Sequence, residues 1–207
     1  NFPSERNCVS LDLGCSDAYF AEYLAHNLDG IVIGADVSRF DLCRAKMRLR
    51  LQVRCEKSAL RSTVELICCD ITHLPLRKNS VNLVVCMSVM EHANDLSGVI
   101  TEIKDSMKKD GILIAGYPIE TGLFEAILRL FLPRGSRIRD PRILGKEWFE
   151  SSTETHKQSF VTIRRLLQKY FVRMQRKKSF FTMLPDLVSW YECVKMKKVK
   201  QTPSKSE

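Results

Sequence analysis

Along the first 118 residues, short apolar runs alternate with stretches of helical period. Cys8 to Leu13, Ile31 to Ala35, Thr63 to Cys69, Val81 to Met87 and Ile112 to Tyr117 read as strands, the last entered through a Lys-Asp-Gly turn. Between them, Ala18 to Asn27, Arg39 to Ala59 and Leu96 to Lys108 read as helices. The middle one is long and basic, and Leu42, Ala45, Met47, Leu49 and Val53 supply it with an imperfect buried face. Strands and helices that alternate through short connections force a parallel sheet with right-handed crossovers and helices on both faces. After Pro118 the rhythm changes. Gly122 to Leu132 reads as an apolar helix, "LPRGSRIRDPRILGKEW" as a basic loop, Ser159 to Tyr170 as a helix, and Phe171 to Met174 and Trp190 to Met196 as two late strands.

Composition narrows the class. A chain of 207 residues with 44% apolar side chains can build one sizeable core, so a single domain spanning 1–207 is expected. No stretch approaches the roughly 20 apolar residues of a membrane span, and NFPSERNC has neither the basic flank nor the apolar run of a secretory signal, so a cytoplasmic location is expected. Eight cysteines fall mostly inside apolar runs with no Cys-x-x-Cys pair, which predicts buried thiols in a reducing compartment and no metal site. Charge is divided unevenly. Residues 1–120 carry 14 Lys and Arg against 16 Asp and Glu, whereas residues 121–207 carry 19 against 8. The basic surface therefore belongs to the C-terminal part, where it could meet phosphates, RNA or anionic lipid headgroups.

In such a sheet, ligands bind outside the carboxyl ends of the strands, so the residues just after each strand are the candidate site. The first strand runs into Asp12-Leu13-Gly14-Cys15-Ser16-Asp17-Ala18, the second into Asp36-Val37-Ser38, the third into Asp70-Ile71, and the fourth into Met87-Ser88-Val89-Met90-Glu91-His92. Asp36, about 20 residues past the first turn, is placed to accept both hydroxyls of a ribose. Asp70 can accept from an exocyclic amine, with Ile71 and Met87 flanking a flat base. Aspartates at these positions also cap helices and turns, and that competing role applies to Asp36 and Asp70 alike.

Taken together, "VSLDLGCSDAYFAEYLA", "IVIGADVS", "ELICCDITHLPLRKNSVNLVVCMSVMEH" and "IKDSMKKDGILIAGYP" resemble the consecutive motifs of the class I S-adenosylmethionine-dependent methyltransferases, especially the ubiquinone and menaquinone methyltransferase-like group. The resemblance covers residues 8–118, a cofactor-binding core. It implies a Rossmann-like, doubly wound α/β fold with seven strands, mostly parallel, and an antiparallel last strand. Residues 119–160 would be a lid or acceptor-specificity insertion, 161–198 the C-terminal helix and late strands, and 199–207 a frayed tail. The resemblance implies S-adenosylmethionine as cofactor, with Asp12, Gly14, Ser16 and Ala18 around its methionine portion. Asp36 and Val37 would meet its ribose, Asp70 and Ile71 its adenine, and Met87 and Ser88 would line the floor. One departure stands out: the family usually has glycine where Ser16 and Ala18 stand.

For methyl transfer a catalytic base is optional, because the sulfonium methyl is already activated. Glu91, His92 and His156 are the candidates for a base, and each has a plain structural role open to it instead. Acceptor choice is expected from the segment after Tyr117, as a lid helix or as a surface-binding helix beside Arg129, Arg134, Arg137 and Arg139. The expected acceptor is a small molecule, a lipid or a glycan, with peripheral contact to an anionic membrane. An RNA or protein acceptor, or a binding module that has lost catalysis, is the alternative.

Overall fold

The computed structural model describes residues 7–55, 60–119, 157–178 and 191–198. In chain order its elements are β1 (Cys8–Leu13), α1 (Tyr19–Asn27), β2 (Gly30–Asp36), α2 (Arg39–Cys55), β3 (Ser62–Cys68), β4 (Val81–Met87), a single 3-10 turn (Met90–His92), α3 (Leu96–Ser106), β5 (Met107–Pro118), α4 (Phe160–Tyr170), β6 (Phe171–Lys178) and β7 (Tyr191–Lys198). The strands form one sheet in the order β3-β2-β1-β4-β5-β7-β6. β1 to β5 pair in parallel, and β7 runs antiparallel between β5 and β6. This is the doubly wound α/β sheet expected from the sequence, antiparallel last strand included.

Two cores sandwich the sheet. Val99, Ile100 and Ile103 of α3 and Ile163 and Leu167 of α4 pack on one face against Leu11, Leu13, Val84 and Leu113. Ala21, Leu24 and Ala25 of α1 and Leu42 and Ala45 of α2 pack on the other, against Val32, Leu83 and Val85. Alternate residues of β4 thus serve opposite cores, which is why the strand reads as a continuous apolar run. Each buried Val, Leu or Ile among them stabilises the fold by roughly 1.5–3 kcal/mol relative to exposure.

Four expectations need correction. Met47, expected on the buried face of α2, is exposed. α3 ends at Ser106 rather than Lys108, and β5 starts at Met107 rather than Ile112. Lys108, Lys109 and Asp110 lie in the strand's solvent-facing start, next to an irregularity opposite Val81 and Leu83, so their charges mimic a turn. The late strands are longer than their apolar centres suggest, because Arg176 to Lys178 and Lys197 to Lys198 extend them. Finally, Cys43 of α2 and Cys68 at the end of edge strand β3 are exposed rather than buried. The expected helix at 122–132 and the basic loop after it lie outside the described residues, as does the tail.

The C-terminal hairpin is locked by Glu192, which is wholly buried. Its carboxylate accepts from the Tyr117 hydroxyl at 2.9 Å and from the guanidinium groups of Arg164 and Arg176. Burial pushes this carboxyl up, and the hydrogen bonds from Arg176, Arg164 and Tyr117 more than offset it, so the group titrates below its ordinary value.

Candidate active site

Strand order reverses between β1 and β4, and the crevice outside their carboxyl ends is where this architecture takes a ligand. The chain leaves β1 through a turn in which every second residue is left-handed: Gly14 at φ 68°, Ser16 at 45° and Ala18 at 58°. The last two are the positions where glycine was expected, and an L-residue there costs roughly 1–2 kcal/mol. The turn nevertheless forms. Gly14 is required twice over, by its φ and because a Cβ there would lie 2.2 Å from Val89 Cγ2.

Several groups hold this turn. The Ser16 N–H donates to Asp36 Oδ2 at 2.8 Å, and the Ser38 N–H donates to Asp36 Oδ1 at 2.8 Å. Each carboxylate oxygen has a lone pair to spare. From α2, Arg48 donates through Nε and Nη2 to the Asp17 carbonyl, at 3.1 and 2.9 Å, and through Nη1 to Glu22. Its guanidinium lies 3.8 Å above the Tyr19 ring. Arg44 Nη2 donates to Asp17 Oδ2 at 2.7 Å. Sequence reasoning placed both arginines on a basic helix and missed this role. The usable signal was their i, i+4 spacing, which sets both on one face.

Asp12 is the unusual group of the site. It is 4% exposed, and its Oδ2 is buried with no hydrogen-bond partner. Burial pushes its carboxyl up to about 7; a hydrogen bond from the Ala21 N–H holds it down, and the nearby charge of Asp36 pushes it further up. The Cys15 thiol beside it is raised by burial to about 12 and stays neutral. The structure therefore gathers Asp12, Gly14, Ser16, Ala18 and Asp36 around one turn, with Val89 against its base.

The adenine side is less tightly assembled. Asp70 is exposed, and its Oδ1 accepts from the Thr72 N–H and Oγ1, both at 2.8 Å, which holds its carboxyl below the usual value. This is the turn role that competes with base recognition. Ile71 packs toward the α3 core and Met87 toward the α1 core, so they come from opposite faces of the sheet. Val37 is exposed at the tip of β2. Ser88 is left-handed at φ 54°, and its N–H donates to the Gly116 carbonyl at 2.9 Å.

Of the candidate bases, Glu91 is 2% exposed, and its carbonyl accepts from the N–H groups of Lys157 and Gln158 at 2.7 and 3.1 Å. His92 is exposed at the end of the 3-10 turn. His156 lies outside the described residues, as do Arg129, Arg134, Arg137 and Arg139; Lys157, next in sequence to His156, is tied to Asn94 and to Glu91. A groove of about 1080 Å³ runs between α2 and β3, lined in part by Leu42, Met47, Leu60 and Leu66, away from these strand ends. Among the described residues, no cluster of three or more His, Cys, Asp or Glu side chains is placed to hold a metal, and no helix is long and apolar enough to cross a membrane.

Residues 11–115 match the methyltransferase domain family. The chain belongs to this family, class I and S-adenosylmethionine-dependent. It is 31% identical over 113 residues to an uncharacterised protein of Methanocaldococcus jannaschii, covering 55% of this chain and 42% of that one. It is 28% identical over 120 residues to the mitochondrial arginine-hydroxylase NDUFAF5 of Homo sapiens, covering 55% and 28%. The chain thus spans less than half the length of these relatives. Among solved structures, the cyclase SpnF has a TM-score of 0.66 at 16% identity, covering 94% of this chain and 76% of that one. The geranyl diphosphate C-methyltransferase of Streptomyces coelicolor A3(2), solved with S-adenosyl-L-homocysteine, has a TM-score of 0.65 at 12% identity, covering 96% and 74%. At these identities the structures establish the fold.

Proposed function

We propose that the protein transfers a methyl group from S-adenosylmethionine to a small-molecule, lipid or glycan-type acceptor. The observation that carries this reading is the buried Asp12 oxygen with no partner beside a strained turn. A carboxylate left unmatched in a low-dielectric site suits an incoming ammonium group, such as that of the cofactor's methionine portion. Asp36 has two lone pairs left for a ribose after holding Ser16 and Ser38. Asp70 and Ile71 suit the base. When bound, the cofactor supplies an activated methyl; the chain's part is to bind, orient and exclude water.

The acceptor would meet the surface beyond Tyr117, including residues 119–160. The charge of that half supports an anionic or membrane-associated acceptor, with the protein in the cytoplasm and peripheral to the bilayer. Its described part includes Arg173, Lys177 and Lys197 on β6 and β7. Roughly 1 kcal/mol per basic residue near an anionic surface makes several of them sufficient for salt-sensitive docking.

A second reading retains the cofactor and drops the methyl transfer, since relatives and neighbours of this fold include proteins named as a hydroxylase and a cyclase. One experiment separates the two. Calorimetry with S-adenosylhomocysteine establishes the site, and transfer of labelled methyl groups to fractionated lipids, glycans, RNA and metabolites establishes the reaction. Binding with a labelled lipid or glycan product supports the proposal. Binding without any labelled product favours the second reading, and labelled RNA would move the acceptor class.

A further inference from the structure

The turn after β1 adopts a conformation that its own residues oppose. Ser16 and Ala18 are both left-handed, and Asp17 lies between them. Two arginines one helical turn apart on α2 converge on Asp17: Arg48 grips its carbonyl with two N–H groups, and Arg44 its carboxylate. Arg48 also covers the Tyr19 ring, so it holds the chain on both sides of Ala18. We infer that Arg48, with Arg44 in support, is a positioning residue that keeps the cofactor turn in its left-handed shape where glycine would need no such help.

The geometry favours this over an ordinary surface ion pair. A guanidinium presents a planar fork, and here the fork closes on a backbone carbonyl within the turn. An ion pair needs only a charge of opposite sign, whereas a strained backbone persists only when its surroundings over-determine it. Asp36 contributes the complementary restraint by accepting the Ser16 N–H. The start of α2 is tied to the same carboxylate through the Ser38 N–H, so Asp36 links α2 to the turn. α2 thereby braces the turn from outside it. This inference rests on the cofactor reading for its consequence in binding, and on the protein alone for its consequence in the turn.

Arg48→Lys is the informative variant, because an ammonium can still pair with Glu22 but cannot fork onto the Asp17 carbonyl. Arg61→Gln is the control, since it breaks a comparable two-pronged pair with Asp29 at the other end of α1. Amide hydrogen exchange over residues 13–19 of the ligand-free protein is the first readout. It should rise roughly tenfold in Arg48→Lys and stay unchanged in Arg61→Gln. S-adenosylhomocysteine affinity is the second. It should fall several-fold in Arg48→Lys, and the loss should shrink when Ser16 and Ala18 are both replaced by glycine. Unchanged exchange in the turn overturns the inference, and so does an affinity loss of equal size in the glycine background. A wild type that ignores the ligand while Arg48→Lys still loosens the turn would sink the cofactor reading and leave the clamp standing.

Discussion

Two buried carboxylates, Asp12 and Glu192, lie in the same sheet and are treated in opposite ways. Glu192 is wholly buried and matched by two guanidinium groups and a phenol, and it titrates below its ordinary range. Asp12 is 4% exposed and has one oxygen with no partner, and it is pushed up to about 7. Burial is common to both, so burial does not separate structure from function here. Partner supply does. A carboxylate satisfied from within the chain fastens β5, α4, β6 and β7 together, whereas one left short of partners is a place for something the chain does not supply.

The largest effect is expected at Glu192. Replacing it with Ala removes the carboxylate that Tyr117, Arg164 and Arg176 share and leaves a buried hole, and urea unfolding should show a loss of about 3–5 kcal/mol. Because the folded-state pKa of Glu192 is lowered, its contribution is full above the ordinary carboxyl value and is lost as pH falls through the lowered one.

Asp12 should give the opposite slope. Its carboxyl binds its proton more tightly in the folded chain, at about 7 against 3.8, so the ligand-free protein should lose stability as pH rises from 4 to 7 and level off above. The amplitude should be on the order of 3 kcal/mol. Unfolding curves across that window should show the slope, and Asp12→Asn should flatten it. A wild type with no slope of this sign contradicts the assignment.

A smaller effect is expected at Asp36, which accepts one N–H from the turn and one from the start of α2. Asp36→Ala should weaken S-adenosylhomocysteine binding by roughly 1.5–3 kcal/mol by calorimetry. Equal affinities would remove Asp36 from the site.

The smallest effect lies in the turn's missing glycines, and the structure splits what the sequence treats as a pair. Ser16 is exposed, so Ser16→Gly should relieve strain and stabilise the protein by up to about 1 kcal/mol in thermal unfolding. Ala18 is wholly buried among Ala21 and Leu24, so its glycine variant trades strain against a lost methyl and should come out near neutral.

These contrasts show how far the sequence reaches. Alternating apolar runs and helical periods predicted the parallel sheet, the acidic residues at the strand ends pointed to a site at Asp36 and Asp70, and the family resemblance implied Asp12 and Gly14. These signals are local in the chain, since a strand end and its turn are consecutive residues. The early start of β5 was hidden because Lys108, Lys109 and Asp110 are charged at the exposed start of a strand, where alternation has no core to report. The α2 clamp was hidden for a different reason. Arg48 meets a carbonyl 31 residues away, and a backbone oxygen leaves no mark on the sequence. Likewise nothing in the letters shows that an Asp12 oxygen lacks a partner while Glu192 is matched. Only the count of partners around each one does.

The role of Asp12 is tested most directly by the proton balance of cofactor binding. An ammonium group seated beside Asp12 should drive its carboxyl to the charged form, so S-adenosylhomocysteine should release a proton on binding near pH 6, where the free carboxyl is still largely protonated. Calorimetry in buffers of different ionisation enthalpy measures this release. The release should fade by about pH 8 and be abolished in Asp12→Asn, together with weakened binding. Binding without proton release in the wild type, or an Asp12→Asn variant that releases as many protons and binds as tightly, would contradict this role of Asp12.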